Sequence, residues 1–264
     1  MILAIDMGNS NIVVGGIDSS RIYFEERLTT DRNKTNLEYA ISIKNILEIH
    51  GIEVSSIEGT IISSVVPPLN NTLTTAIKKI TGKTPLLVGS GMKTGLNIIM
   101  DNPKTTGSDM IVDAVAALKE YPAPLIIIDM GTATTMSVID PAGNYIGGVI
   151  LPGLKISLDT LSSRTAQLPQ ISLETPGKII GKNTIDCMRS GIMYGHAAMI
   201  DGMIDRMQEE LGEPIASVIA TGGTSQFVVP LCKHKIIYDK DLLLKGLAIL
   251  YENELQHAAR LERK

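Results

Sequence analysis

The sequence predicts an α/β protein made of two copies of one unit of strands and helices, with a cleft between the copies. Apolar runs rich in β-branched residues alternate along its 264 residues with amphipathic helical patterns. The tetrapeptide Ile-Asp-Met-Gly occurs at 5–8 and again at 128–131. Each copy follows an apolar strand, precedes a short polar turn and leads into a second strand. This shared context makes duplication a better explanation than a chance match.

In the first half of the chain, strand-like runs come before and after a helical pattern. Gly, Asp and Ser separate the first three runs, as expected for strands joined by tight turns. Gly51 and Gly82 follow two helical patterns, where glycine can end a helix, and Pro67 can open the second helix. The predicted elements are strands at 2–6, 11–18, 21–28, 60–66 and 85–88 and helices at 36–50 and 67–81.

A connection rich in glycine, 89–106, separates the two halves. We therefore predict two domains, 1–100 and 101–264. In the second domain the last predicted strand runs directly into a Thr-Gly-Gly-Thr turn at 221–224. The predicted elements are helices at 108–121, 154–168, 184–211 and 241–255 and strands at 125–129, 132–140, 145–151 and 218–220.

Composition and charge exclude several functional classes. A net charge of −4, with seven Tyr, two Phe and no Trp, argues against a nucleic-acid partner. Cys187 and Cys232 form no CxxC pair and lack metal-ligand spacing, so we predict buried thiols. No apolar run approaches the ~18 residues of a membrane span, and the N-terminus lacks the basic region of a signal peptide. These features predict a cytoplasmic protein with no membrane partner.

The repeated tetrapeptide has the chemistry of a phosphate-binding turn. Glycine lets backbone N–H groups approach phosphate oxygens without a side chain in the way. Neutral donors follow each glycine, namely Asn9 and Ser10 in the first copy and Thr132 and Thr134 in the second. Asp6 and Asp129 would repel a phosphate, so they require a cation between, and hard oxygen ligands suit Mg²⁺ or a monovalent ion. The sequence contains neither a P-loop motif nor a dinucleotide-binding GxGxxG after a strand.

Several segments together resemble type III pantothenate kinases, which belong to the acetate and sugar kinase/actin superfamily. The resemblance covers essentially the whole chain, and the segments that carry it occur in order at compatible spacing. VIATGGT at 218–224 resembles the nucleotide-proximal glycine turn of that superfamily, and the segments that carry the family resemblance are DMGNSNIVVG at 6–15, ISSVVPPL at 62–69, DNPKTTGSD at 101–109, DMGTATT at 129–135, GGVILPGL at 147–154, SRTAQLP at 163–169 and IGKNT at 180–184. It implies duplicated actin-like (ribonuclease H-like) domains with a nucleotide cleft between them.

The resemblance also implies a reaction, ATP-dependent phosphorylation of pantothenate at the entry to coenzyme A synthesis, in a homodimer that uses Mg²⁺. Residues implied to bind ATP are Asp6, Met7, Gly8, Asn9, Ser10, Asn11, Ile12, Val13 and Thr132. Those implied to line the acceptor pocket are Gly107, Ser108, Asp109, Met110 and Thr184. Asp109 would be the general base that accepts the alcohol proton. Asp129 would hold K⁺ or NH₄⁺, and Asp6 is a candidate Mg²⁺ ligand.

Two positions depart from the family pattern, and they leave alternatives open. Met110 stands where the family usually has Arg, and Met100 stands where it usually has Tyr. An arginine can offer a carboxylate two charged hydrogen bonds, whereas methionine offers none. One alternative is therefore a kinase of the same fold with a different small hydroxyl acceptor. A second is a catalytically silent nucleotide-binding regulator, which would have no need of the general base Asp109.

Overall fold

The computed structural model describes residues 1–18, 21–89 and 91–262. Within these residues the strands are β1 (Ile2–Met7), β2 (Asn11–Ile17), β3 (Ile22–Thr29), β4 (Gly59–Ser64), β5 (Leu86–Leu87), β6 (Asn97–Ile98), β7 (Leu125–Met130), β8 (Ala133–Ile139), β9 (Asn144–Pro152), β10 (Ser217–Thr221) and β11 (Ile237–Tyr238). The helices are α1 (Asn36–Ile49), α2 (Asn70–Thr81), α3 (Ser108–Glu120), α4 (Leu154–Ser163), α5 (Thr184–Leu211), α6 (Ser225–Val228) and α7 (Leu242–Glu262).

The strands form two sheets with one shared topology. The first sheet has the order β3-β2-β1-β4-β5, and the second has β9-β8-β7-β10-β11 with β6 added beyond β9. In both sheets the first three strands form an antiparallel meander, and the last two run parallel to the central strand. The duplication predicted from one tetrapeptide therefore extends to the whole sheet, and the predicted α/β class is confirmed.

The first sheet is covered on both faces, which explains why β1 is apolar apart from Asp6. Alternate side chains of a strand point to opposite faces. Leu3, Ile5 and Met7 belong to a core that α1 and α2 complete. Ile2 and Ala4 belong to a second core, to which α7 contributes Leu244, Leu247 and Leu250. The second sheet packs its own core against α4 and α5.

The described chain divides into two compact units. The first contains Met1–Leu96, Asn102–Ala116 and Asp241–Lys264, and the second contains Asn97–Asp101 and Ala117–Lys240. This division differs from a single boundary at residue 100, because α7 packs on β1, β2 and β4 of the first unit. Packing between elements far apart in sequence leaves no local signal, so the place of α7 could not be read from its own residues.

Capping residues fix the helix ends that the sequence predicted best. Thr35 and Glu38 form a capping box at the start of α1, with both reciprocal hydrogen bonds present. Gly82 ends α2 in the left-handed conformation, with φ +70°. Asn183 caps the start of α5 and Gly212 ends it, so the predicted helix at 184–211 is confirmed at both ends.

Other predicted elements are wrong in detail. Residues 67–69 form a 3₁₀ turn before α2 begins, and α4 ends at Ser163 rather than at residue 168. The predicted connection 89–106 contains β6, and β11 also went unpredicted. Both are strands of two residues, whose extended conformation depends on the neighbouring strand rather than on their own side chains. Cys187 is exposed, so the prediction of a buried thiol is wrong for that residue, and Cys232 is only partly buried.

Candidate active site

The first turn of the repeat, between β1 and β2, is closed by backbone hydrogen bonds. The Gly8 amide donates to Asn11 O at 3.0 Å. A Cβ at Gly8 would lie 3.1 Å from that oxygen, so the turn suits glycine. Asn9, Ser10 and Asn11 are exposed. Since the Gly8 amide is used inside the turn, the groups that can meet a phosphate are those of the three exposed polar residues.

Thr30 holds this turn from the end of β3, a role that the sequence analysis missed. Its hydroxyl donates to Gly8 O at 2.7 Å, and its backbone amide donates to Ser10 O at 3.0 Å. Thr30 is far from the turn in sequence, and the antiparallel pairing of β2 with β3 brings it there. No local signal identifies such a residue, because only the strand register makes it a neighbour.

Other residues predicted to bind ATP lie within the sheet. Met7 and Ile12 are fully buried in the core, so only their backbone atoms can contact a ligand. Asp6 is buried near the carboxyl end of β1, where it lies opposite Val13 of β2 and Ser63 of β4. The structure therefore brings the Asp6 carboxylate to the end of β1 that leads into the turn.

The predicted acceptor segment begins α3 and is attached to β4. The hydroxyl of Ser108 lies 3.1 Å from that of Ser63. It also accepts the Ser64 amide at 3.1 Å and donates to Ser64 O at 3.0 Å. Ser63 pairs with Asp6 across the parallel strands. These contacts bring Gly107–Met110 and the first turn to the same edge of the first sheet.

Asp109 combines partial burial with a local hydrogen bond. Its Oδ1 accepts the Met110 amide at 2.8 Å. Burial raises the pKa of the Asp109 carboxyl above the ordinary aspartate value, and the Met110 hydrogen bond opposes that shift. A Cβ at Gly107 would overlap Asp109 Oδ1, so glycine is needed for the carboxylate to take this position. A carboxylate with raised proton affinity at a helix start can accept a proton from an alcohol.

The second turn of the repeat follows β7 and is built in the same way. The Gly131 amide donates to Ala133 O at 3.0 Å, as Gly8 does in the first copy. Thr132 is exposed at its tip. Gly153, which precedes α4, lies beneath the turn, since a Cβ there would overlap Thr132 O and lie 2.7 Å from Gly131 O. The start of α4 therefore supports the turn that carries Thr132.

Asp129 lies against the glycine turn that follows β10. Gly222 has φ +88°, and a Cβ there would overlap Asp129 Oδ1 and lie 2.7 Å from the backbone N and C of Met130. The amide and hydroxyl of Thr224 both donate to Met130 O, at 3.2 and 2.8 Å. The Thr-Gly-Gly-Thr turn is thus pinned to the end of β7, with its backbone against the Asp129 carboxylate.

Three further residues named in the sequence analysis lie outside the two turns and the acceptor segment. Thr134 is fully buried, and its hydroxyl has no hydrogen-bond partner among the described residues, so it is not placed to donate to a phosphate. Thr184 is exposed at the start of α5 in the second unit. Met100 lies beside β9, where a Cβ at Gly147 would be 3.6 Å from its sulfur.

Metal binding at these turns would use few protein ligands. Within residues 1–18, 21–89 and 91–262, no group of three or more His, Cys, Asp or Glu side chains could hold a metal ion. Mg²⁺ in nucleotide sites is commonly held by one or two carboxylates together with phosphate oxygens and water. Asp6, a hard oxygen donor just before the first turn, fits that pattern.

In the part of the chain that the structure describes, no helix is both long and apolar enough for a membrane crossing.

Solved structures with a similar fold define the class of protein. Over 98% of both chains, the structure is similar to MreB 5 of Spiroplasma citri bound to AMPPNP, with a TM-score of 0.58 and 10% identity. It is also similar to an archaeal actin homolog, with a TM-score of 0.52, 13% identity and coverage of 97% of this chain and 99% of the other. The fold is therefore the actin-like fold of duplicated α/β domains.

Sequence relatives narrow this class to one family. The family model for type III pantothenate kinase matches residues 2–206. A type III pantothenate kinase of an Exiguobacterium strain is 44% identical over 252 residues, covering 96% of this chain and 98% of the relative. The enzyme of that name from Bacillus cytotoxicus is also 44% identical, over 259 residues covering 97% and 98%. The chain belongs to the type III pantothenate kinase family.

The surroundings of Thr134 predict the effect of replacing it. Thr134→Val keeps the shape of the side chain and removes a buried hydroxyl, and leaving such a group unsatisfied costs about 1–3 kcal/mol. We expect Thr134→Val to raise the free energy of unfolding by about 1 kcal/mol and to leave kinase activity unchanged. Urea unfolding and steady-state rates measure the two effects. A large loss of activity with intact folding would show that this hydroxyl acts on the nucleotide. Thr132→Val, at the exposed tip, is the matched comparison.

Proposed function

We propose that this chain transfers the γ-phosphoryl group of ATP to the primary hydroxyl of pantothenate, with Asp109 as general base. The observation that carries the proposal is the Asp109 carboxylate. It is partly buried and its pKa is raised. It lies in the first turn of α3, next to Ser108, whose hydroxyl is within hydrogen-bond distance of Ser63 of β4, and Ser63 pairs with Asp6. Membership of the type III pantothenate kinase family supports the reaction and the acceptor.

In the proposed reaction Asp109 accepts the proton of the attacking hydroxyl as the bond from oxygen to phosphorus forms. The bond between the γ-phosphorus and the bridging oxygen breaks, and ADP leaves. The exposed groups of Asn9, Ser10 and Asn11 supply donors to phosphate oxygens. Mg²⁺, when bound with ATP, offsets phosphate charge, and Asp6 is the side chain in the first turn suited to hold it.

We also propose that Asp129 holds a monovalent cation, K⁺ or NH₄⁺. Its carboxylate lies close to the backbone of Gly222, in the turn that follows β10. Thr132, at the tip of the neighbouring turn, is proposed to contact ATP. The Asp129 carboxylate and an ATP phosphate held by the neighbouring turn would repel each other, and a bound cation would offset that repulsion.

The acceptor is the least specified partner in this proposal. Gly107, Ser108 and Met110 surround Asp109 along the chain, and the Ser108 hydroxyl is already used to hold β4. Met110 offers no charged contact to the pantothenate carboxylate, and Thr184 remains a proposed acceptor contact. A kinase of this fold with a less anionic acceptor is the second candidate, and Met110 is the observation that favours it.

We propose in addition that the protein forms a homodimer through the second unit. Ile179, Ile180 and Ile185 lie close along the chain at the start of α5 and expose 64%, 79% and 42% of their surface. Exposed apolar patches of this kind mark protein interfaces. The long helix α5 begins next to these residues, at Thr184, so we place the dimer contact on this helix.

The general-base role predicts the behaviour of Asp109→Asn. The amide keeps the shape but cannot accept the proton, so turnover should fall by about 10²–10⁴-fold with ATP binding nearly unchanged. Pantothenate-dependent ADP release and nucleotide binding by calorimetry measure the two quantities. Asp159→Asn, an exposed aspartate of α4, is the matched control and should keep full activity. Turnover near the wild-type rate in Asp109→Asn would contradict the assignment.

The raised pKa of Asp109 gives the same variant a pH signature. In the wild type, kcat/KM should fall as pH drops through the raised value, at higher pH than an ordinary aspartate would cause. A raised folded-state pKa means that the ionised carboxyl destabilises the fold above that pH. Asp109→Asn should therefore have a higher Tm than the wild type at neutral pH, and the difference should shrink as pH falls. Equal Tm values across the pH range would oppose this electrostatic account.

The cation role predicts a response to potassium that requires Asp129. At fixed Mg²⁺ and ionic strength, potassium should raise both the ADP-release rate and the Tm relative to sodium, because an ion bound by the folded protein stabilises it. Asp129→Ala should lose both responses, whereas Asp159→Ala should retain them. Identical rates and Tm values in the two salts would remove the cation from the proposal.

The dimer proposal predicts the mass in solution. Light scattering should give about twice the chain mass of 28.4 kDa. Ile180→Asp should yield monomer, because a charge at an apolar interface loses its hydration on association. Ile49→Asp is the matched control, since Ile49 exposes 78% of its surface on α1 of the first unit, against 79% for Ile180. A monomeric wild type, or an equal effect of both variants, would contradict the proposed surface.

A further inference from the structure

We infer that Gly246 of α7 is a positioning residue for Asp109, because it lets α7 lie directly against the first turns of α3. This inference rests on the proposed function, in which Asp109 is the general base. A Cβ at Gly246 would overlap the carbonyl oxygen of Val112 and would lie 2.9 Å from its carbonyl carbon and 2.7 Å from its Cγ1. The two helices therefore meet backbone to backbone at this point.

Val112 follows Asp109 by one helical turn, so the contact acts on the turn that carries the carboxylate. Val112 is fully buried. It belongs to one core cluster with Val115 of α3 and Leu247 and Ala248 of α7. A shift of Val112 moves Asp109 with it, since residues one turn apart in a helix are joined by the backbone hydrogen-bond ladder.

A second contact holds the same segment at the residue that precedes Asp109. Ser108, which precedes Asp109, is hydrogen-bonded to Ser63 and Ser64 at the end of β4. Asp109 is thus fixed between a polar attachment to the sheet and an apolar attachment to α7. Neither attachment alone sets both the depth and the direction of the carboxylate.

The helix α7 is itself held on the first sheet, so it cannot easily yield to a larger residue at 246. The side chain of Leu244 lies over Gly15 of β2, where a Cβ would be 2.7 Å from Leu244 Cδ1. The ring of Tyr251 lies over Gly59 of β4, where a Cβ would overlap its hydroxyl and lie 2.8 Å from Cε2. We therefore expect a methyl group at residue 246 to displace α3 at Val112.

The experiment compares Gly246→Ala with the wild type in pantothenate-dependent ADP release. A displacement of about 1 Å in a catalytic group can cost roughly 10²-fold in rate, so kcat should fall by up to that factor. The KM for ATP should change by less than about twofold, because the phosphate turns are not touched. The acid limb of the pH profile, which is the fall of kcat/KM at low pH, should move to lower pH. A displaced Asp109 carboxylate is less buried, and its pKa is therefore lower.

Two glycine variants separate positioning from general destabilisation. Gly59→Ala disturbs α7 at Tyr251, at the opposite end of β4 from Ser63 and Ser64, and should lower Tm while keeping kcat and the acid limb. Gly89→Ala follows β5, where a Cβ meets nothing within 4 Å, and should change neither rate nor pH profile. If Gly59→Ala reproduced the kcat loss and the shifted acid limb, Gly246 would have no specific role.

Results for Gly246→Ala, Val112→Ala and Asp109→Asn each test the positioning role of Gly246. If folded Gly246→Ala keeps the wild-type kcat and pH profile, the inference about Gly246 is wrong. In that case an inactive Asp109→Asn would still support Asp109 as the general base. If Gly246→Ala does not fold, Val112→Ala loosens the same contact from α3 and should lower kcat with the same shift of the acid limb. Wild-type behaviour of Val112→Ala would then overturn it. Near-normal turnover of Asp109→Asn would remove both the base and the group to be positioned.

Discussion

The parallel pairing of each central strand with the strand that follows its helices is the constraint on which the site depends. Because β1 pairs with β4 and β7 with β10, the carboxyl ends of both strands in each pair meet at one edge of their sheet. Asp6 then lies opposite Ser63, and Asp129 lies opposite Thr221. Loops at that edge bring together groups that are far apart in sequence, as is common in open α/β sheets.

Glycine is the second common feature of these sites, and its contribution is the space that it leaves. At residues 107 and 222 a Cβ would overlap a carboxylate oxygen of Asp109 or Asp129, and at 153 and 246 it would overlap a backbone oxygen. Each glycine permits an approach that no other residue allows. The carboxylates are therefore placed by close backbone packing as well as by hydrogen bonds, and small displacements of that packing are expected to change chemistry before they change the fold.

The two aspartates at the helix and strand ends are suited to different tasks by their surroundings. Asp109 is partly buried and its carboxyl gains proton affinity, which suits a group that must accept a proton. Asp129 lies against backbone groups of a glycine turn beside a proposed phosphate contact, which suits a cation ligand. Two carboxylates at different places in the fold can thus be suited to the different roles proposed for them by their burial and their neighbours.

Local sequence patterns determined the duplicated α/β class, the two Asp-Met-Gly turns and most helix ends: the repeated tetrapeptide, the β-branched runs, and helix-ending glycines such as Gly82. The sequence also indicated Asp109 through a family resemblance. Only the tertiary structure placed Thr30 at the first turn, buried the side chain of Thr134 next to the second turn, and packed α7 with Gly246 against α3. Those outcomes depend on strand register and on contacts between distant segments, and neither leaves a mark on the residues nearby.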